Sequence, residues 1–207
     1  MLYLKEEISD TILGVWQIEE SKEELLHLLD HHDWLGGILS IKSESRILEM
    51  LAVRVLLKEL AGDEKEIVYY PSGRPYLKDA SCNISVSHTK GYVAVALNQH
   101  HKVGIDIEKI SDKIRRVQSR IISEREYIDK DNELIHLLLH WSVKEAMFKL
   151  LDVEGVDFLK HLYIHPFTPK IRGWFKASES RTNEVHNFSA FYQVETDFVL
   201  SYLILDN

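Results

Sequence analysis

Three acids stand at spacings that suit a small, hard cation. In Val103-Gly-Ile-Asp-Ile-Glu108 the apolar and acidic residues alternate. On a strand, Val103, Ile105 and Ile107 face one way while Asp106 and Glu108 face the other. Two carboxylates about 7 Å apart along a strand can converge through their side chains. Mg²⁺ favours such oxygen ligands and leaves positions for water and phosphate oxygens. Gly104 shares the acidic face and lets another backbone or a ligand approach closely. The plainer alternative is an amphipathic edge strand whose acids are solvated.

The third acid lies in Trp141-Ser-Val-Lys-Glu-Ala-Met-Phe-Lys149. At helical pitch Val143, Ala146, Met147 and Leu150 form a core stripe, and Trp141, Lys144, Glu145, Phe148 and Lys149 take the opposite face. A carboxylate for metal with a lysine one turn on for phosphate suits a Mg²⁺–pyrophosphate site. The alternative is an ordinary i,i+4 Glu145–Lys149 ion pair. Two loops add donors for phosphate oxygens. One is Ser85-Val-Ser-His-Thr89, and the other is Gly73-Arg-Pro75, where the proline holds Arg74 extended. His136 and His140 have ligand spacing but lack the Glu of a zinc protease helix, so they read as structural.

These residues need elements to position them. Ser21-Lys-Glu-Glu24 has the capping-box pattern, so a helix is expected over 22–32. A longer helix is expected over 43–60, with Gly62 placed as its C-cap. Strands are expected at 67–70, 84–88, 92–97 and 103–108, with turns at 71–75 and around Lys90-Gly91. Helical patterning returns at 123–130 and 133–151, and β-rich segments around Trp174, 188–194 and 198–204 suggest a closing antiparallel sheet.

Hydrophobic residues make up 45% of the 207 and charged residues 28%, as in a chain with a packed core. The single cysteine, Cys82, points to a reducing compartment. The opening MLYLKEE has no apolar signal core and no run is long enough to span a bilayer, so a cytoplasmic location is expected, with no membrane partner. A net charge of −8 argues against nucleic acid as a partner. Lys113, Arg115, Arg116, Arg120 and Arg125 still form a local basic stretch, which reads either as a docking surface or as a solvated face.

In order, Gly-Arg-Pro, Ser-x-Ser-His-Thr, Val-Gly-Ile-Asp-Ile-Glu and Trp-Ser-x-Lys-Glu-Ala-x-x-Lys resemble the motifs of the 4′-phosphopantetheinyl transferases, in particular their two-lobed type that activates peptide synthetases. The resemblance runs from Arg46 to Lys149. It implies an α+β fold of two similar lobes, 1–102 and 103–207, related by pseudo-twofold symmetry in a monomer, each an antiparallel sheet packed on a long helix. It also implies transfer of 4′-phosphopantetheine from coenzyme A to a serine of an acidic apo-carrier protein, releasing adenosine 3′,5′-bisphosphate. On this resemblance Asp106, Glu108 and Glu145 hold Mg²⁺, and Lys149 reaches the pyrophosphate. Arg46, Arg74, Ser87 and His88 contact coenzyme A phosphates, with Arg46 and His88 on the 3′-phosphate. Glu145, directly or through a metal-bound water, or Glu126 takes the serine proton, although Ser123-Glu-Arg-Glu126 is also a capping box that would occupy Glu126 at a helix N-terminus. Other readings are a Mg²⁺-dependent enzyme for a different pyrophosphate-containing nucleotide, or a non-catalytic coenzyme A or carrier-protein binding module.

Overall fold

The computed structural model describes residues 1–205. The chain divides into two compact units, Met1–His101 and Lys102–Asn207. Both combine an antiparallel sheet with helices.

The first unit comprises β1 (Leu2–Ile8), β2 (Thr11–Gln17), α1 (Lys22–His27), α2 (Gly36–Leu39), α3 (Glu44–Ala61), β3 (Ile67–Tyr69), β4 (Pro75–Leu77), β5 (Asn83–Thr89) and β6 (Tyr92–Asn98). Its main sheet has the order β1-β2-β6-β5, and β3 and β4 form a separate hairpin. Ser43 caps α3 by accepting from the Arg46 N–H, and Gly62 ends it in the left-handed conformation at φ +83°. One stripe of α3, including Leu51, Val55 and Leu56, is buried against Val93, Val95 and Ile84 of the sheet. Each such side chain contributes about 1.5–3 kcal/mol relative to exposure.

The expected helix over 22–32 stops at His27. The capping box of Ser21 and Glu24 forms in both directions, but Leu28 already closes the helix and a separate 3-10 turn follows at His32–Leu35. The hairpin β1–β2 was not expected. Its outer strand carries Lys5, Glu6 and Glu7 and hides the usual alternation, and those charges discourage a further strand from pairing there.

The second unit comprises β7 (Lys102–Lys109), α4 (Glu133–Leu151), β8 (Leu162–Ile164), β9 (Arg172–Glu179), β10 (Asn187–Val194) and β11 (Phe198–Leu205). The strand order β7-β11-β10-β9-β8 brings the first strand beside the last, with Asp106 opposite Ser201. Helix α4 packs on β7 and β11. The expected core stripe Val143, Ala146, Met147 and Leu150 is fully buried. No helix forms over 123–130, where the backbone runs as turns after two short 3-10 segments.

The helix approaches β7 at Gly104. A Cβ built there would lie 2.2 Å from the Ala146 carbonyl oxygen and 3.1 Å from the Leu150 Cβ. The close approach anticipated at this glycine is therefore made by helix backbone, which cannot move aside as a side-chain tip could. Among the described residues, no helix is long and apolar enough to cross a membrane.

Gly104→Ala is expected to destabilise the protein by about 3 kcal/mol, as overpacking against backbone does. Gly36→Ala, where a Cβ meets nothing within 4 Å, should change stability by less than about 1 kcal/mol. Urea unfolding of the two variants checks the contrast.

Candidate active site

The close contact at Gly104 sets α4 so that its polar side chains meet the acids of β7. Lys149 Nζ donates to Asp106 Oδ1 at 2.8 Å and to the Ile105 carbonyl at 3.1 Å. Trp141 Nε1 donates to Glu108 Oε1 at 2.5 Å. Ser142 and Ser201, both fully buried, share a hydrogen bond of 2.6 Å that ties α4 to β11 beside Asp106. Lys149 thus reaches across to the strand acid rather than pairing with Glu145 along its own helix. The acids are also not solvated. Asp106 is only 3% exposed, and both faces of β7 are buried from Val103 to Ile107.

Burying acids together disfavours their charged forms. Burial pushes Glu108 up to about 7, with the charge of Asp106 adding to the effect and the Trp141 N–H opposing it. Burial likewise pushes Glu145 up to about 7, again helped by Asp106 and opposed by Lys149. Such a set of oxygen donors suits a hard divalent cation, which would relieve the repulsion directly. As the side chains stand, no three His, Cys, Asp or Glu residues among the described ones converge on one point. Asp106 is turned to an ammonium and Glu108 to an indole N–H instead. Beside Glu145 an open cavity of about 510 Å³ is walled by Val117, Ile121, Trp141, Val156 and Phe158, with Arg120 also on its lining.

Glu126 is not brought to this group. Its side chain is enclosed, accepting from Lys144 Nζ at 2.7 Å, from the Ile164 N–H at 2.8 Å and from the Ser123 N–H at 2.8 Å. The Ser123–Glu126 contact of a capping box is present, but it closes a turn with no helix after it. Lys144, expected on the polar face of α4, is fully buried, because its ammonium also meets the carbonyls of Ile121 and Phe158. Burial lowers the Lys144 pKa, and Glu126 opposes that shift. His136 and His140 are buried on α4. Burial lowers them to about 4 and about 3, as neutral structural histidines.

In the first unit the structure brings Arg46 of α3 to His88 of β5, with Arg46 Nη1 2.6 Å from His88 Nε2. Ser87 does not join them. Strand alternation sends it to the opposite face of the sheet from exposed His88, where it is buried. Arg74 lies on the turn of the β3–β4 hairpin, after Gly73 at φ +85°. The sequence reading missed the Trp141–Glu108 bond and also Glu49, which Arg46 and His88 share. The i,i+3 spacing of Arg46 and Glu49 was the one available signal.

In the second unit a strand with paired acids is crossed at a glycine by a helix that bears a third acid and a lysine. Residues 102–202 match the family model of the 4′-phosphopantetheinyl transferase superfamily. The chain is also 26% identical over 122 residues to the 4′-phosphopantetheinyl transferase gsp of Aneurinibacillus migulanus, a match covering 55% of this chain and 51% of that protein. It therefore spans about half the length of this curated relative.

Breaking the buried pair should be costly. Lys144→Met leaves Glu126 enclosed without its counter-charge and is expected to lose about 3–5 kcal/mol in urea unfolding, while adding Glu126→Leu recovers much of that loss. The raised carboxyl gives a second test. A carboxyl whose folded pKa is about 7, against an ordinary 4.5, binds more protons folded than unfolded between those values. Its contribution to stability is then lost as pH rises from about 4.5 to about 7. In chelator, the melting temperature of Glu145→Gln relative to wild type should therefore be higher at pH 8 than at pH 5. An unchanged gap would show that Glu145 is not held in this way.

Proposed function

We propose that the chain transfers 4′-phosphopantetheine from coenzyme A to a serine of an apo-carrier protein, yielding holo-carrier and adenosine 3′,5′-bisphosphate. The observation that carries this reading is the Lys149–Asp106 pair beside the Gly104 crossing, with Glu108 and Glu145 near enough to feel the charge of Asp106, within the part of the chain that matches the family. Asp106, Glu108 and Glu145 are the residues that would hold Mg²⁺, which when bound neutralises pyrophosphate charge. Lys149, paired with Asp106 in the free protein, turns its ammonium to a pyrophosphate oxygen.

In the reaction the carrier serine oxygen forms a bond to the phosphorus that bears pantetheine. The bridging P–O bond breaks, and its electron pair leaves with the adenosine bisphosphate. Positioning and charge neutralisation supply most of the catalysis in such a step. Glu145 takes the serine proton. It borders the open cavity. Glu126, with its oxygens engaged inside the protein, instead anchors α4 through Lys144. The cavity walled by Trp141 and Phe158 accommodates the pantetheine arm.

Arg46 and His88 take the 3′-phosphate of coenzyme A, with Arg74 a further phosphate contact. The basic stretch 113–125 docks an acidic carrier. Within it Arg115 is already paired with Asp112 and Glu133, while exposed Arg116 has no ion pair among the described residues.

Incubated with coenzyme A, Mg²⁺ and a panel of apo-carriers, the protein should add one phosphopantetheine mass to a carrier serine. No mass gain on any carrier would overturn the assignment. Asp106→Asn, which keeps the side-chain size, should lower the rate about 100-fold or more. The same variant should lose the rise in melting temperature that Mg²⁺ gives the wild type, a readout independent of turnover.

A further inference from the structure

Glu49 lies outside every motif above, yet it is the residue that Arg46 and His88 share. Arg46 Nη1 donates to Glu49 Oε2 at 3.1 Å, and His88 Nδ1 lies 3.4 Å from the same oxygen. With the 2.6 Å contact between Arg46 and His88, the three side chains close a triangle. The arginine and histidine side chains are 44% and 42% exposed, whereas that of Glu49 is 20% exposed. The acid therefore stands behind, and the guanidinium and the imidazole stand in front. Helix pitch places residues 46 and 49 on one face of α3. Alternation along β5 puts His88 on the same side as Ile84 and Val86, the side that packs into the core with α3.

We propose that Glu49 is a positioning residue that holds the Arg46 guanidinium and the His88 imidazole side by side as a receptor for a phosphate monoester. The inference rests on the reading of Arg46 and His88 as the groups that take the 3′-phosphate. Nη1 makes both of Arg46's contacts within the triangle, so Nε and Nη2 lie outside it and can donate to a ligand. His88 Nε2 lies against Arg46 and Nδ1 against Glu49, so the ring is held between them and the Arg46 fork carries the donors to the phosphate. The Glu49 charge also repels an incoming dianion. That repulsion is screened between partly exposed groups, whereas an unheld arginine loses many rotamers on binding. Positioning therefore outweighs repulsion, and the two effects have opposite signs in experiment.

The test is calorimetric titration of the purified chain with adenosine 3′,5′-bisphosphate and with adenosine 5′-monophosphate. The wild type should prefer the bisphosphate, and Arg46→Ala should remove the preference. Glu49→Gln should cut the preference about tenfold by weakening the bisphosphate alone, as loss of a hydrogen bond to a charged group does. Glu49→Asp should restore part of it and also serves if the glutamine variant folds poorly. A preference kept or increased in Glu49→Gln would show that the acid is only a counter-charge and overturn the proposal. Equal weakening of both nucleotides would make Glu49 merely structural and overturn it as well. A wild type that does not distinguish the nucleotides would overturn the Arg46–His88 reading and this inference together, and that outcome appears without any variant.

Discussion

The second unit depends on how closely α4 lies on β7. The Ala146 carbonyl occupies the place that any side chain at position 104 would need, so the helix–strand distance is set by a missing Cβ. Three residues on, Lys149 is then near enough to donate to both Ile105 and Asp106. Five residues back, Trp141 reaches Glu108. A helix held further out would leave the lysine and the indole short of these partners. The acids would then face water or an empty gap. The apolar stripe of α4 drives the packing, but the glycine determines which polar atoms meet.

That approach has an electrostatic cost, visible in Glu108 and Glu145, both pushed up to about 7 chiefly by burial. Lys149 offsets part of it as an internal cation on Asp106. Away from the site the fold treats charge differently. Glu126 and Lys144 are fully enclosed and satisfied by each other and by backbone, which fixes the loop before α4 to the helix and to β8. On the proposed reading the first pair is exchangeable, because an entering ligand can replace either partner. The second is not, because nothing from outside can reach it.

How much of this was legible in the sequence follows from the range of each interaction. The long helices, the β5–β6 hairpin and the closing sheet carry their own periodicity, and Ser43 and Gly62 mark the ends of α3 locally. The acids of β7 and the helix motif are local too, and their family resemblance joined them. What escaped was decided by partners distant in the chain. Lys144 lies on the polar face by pitch alone, but its long stem lets the ammonium reach Glu126, 18 positions away. The 123–130 stretch has a cap pattern, yet the cap acid turns inward and the helix never starts. β2 has Gly14 in its middle, which reads as a break. There Leu56 and Leu60 of α3 come to about 3 Å of where a Cβ would sit. Adjacent Ser87 and His88 looked like one constellation, whereas a strand separates neighbours onto opposite faces.

Both of these polar clusters carry a built-in opposite charge. In the second unit an acid set holds a lysine. In the first, an arginine and a histidine hold a glutamate. A site of one sign left bare would strain the folded chain through its own repulsion and would collect any counter-ion. An internal partner removes that strain and keeps long side chains ordered, at the expense of some affinity, since a ligand must displace or tolerate it. The two partners differ in how they meet that requirement. Lys149 bonds directly to Asp106 and an ammonium suits phosphate, so on the proposed reading it moves onto the ligand and keeps its charge satisfied. Glu49 carries the same sign as a phosphate and has to stay behind the groups it aligns, which is where its lower exposure places it. The lysine can therefore become part of the bound complex, while the glutamate can only shape the site that receives it.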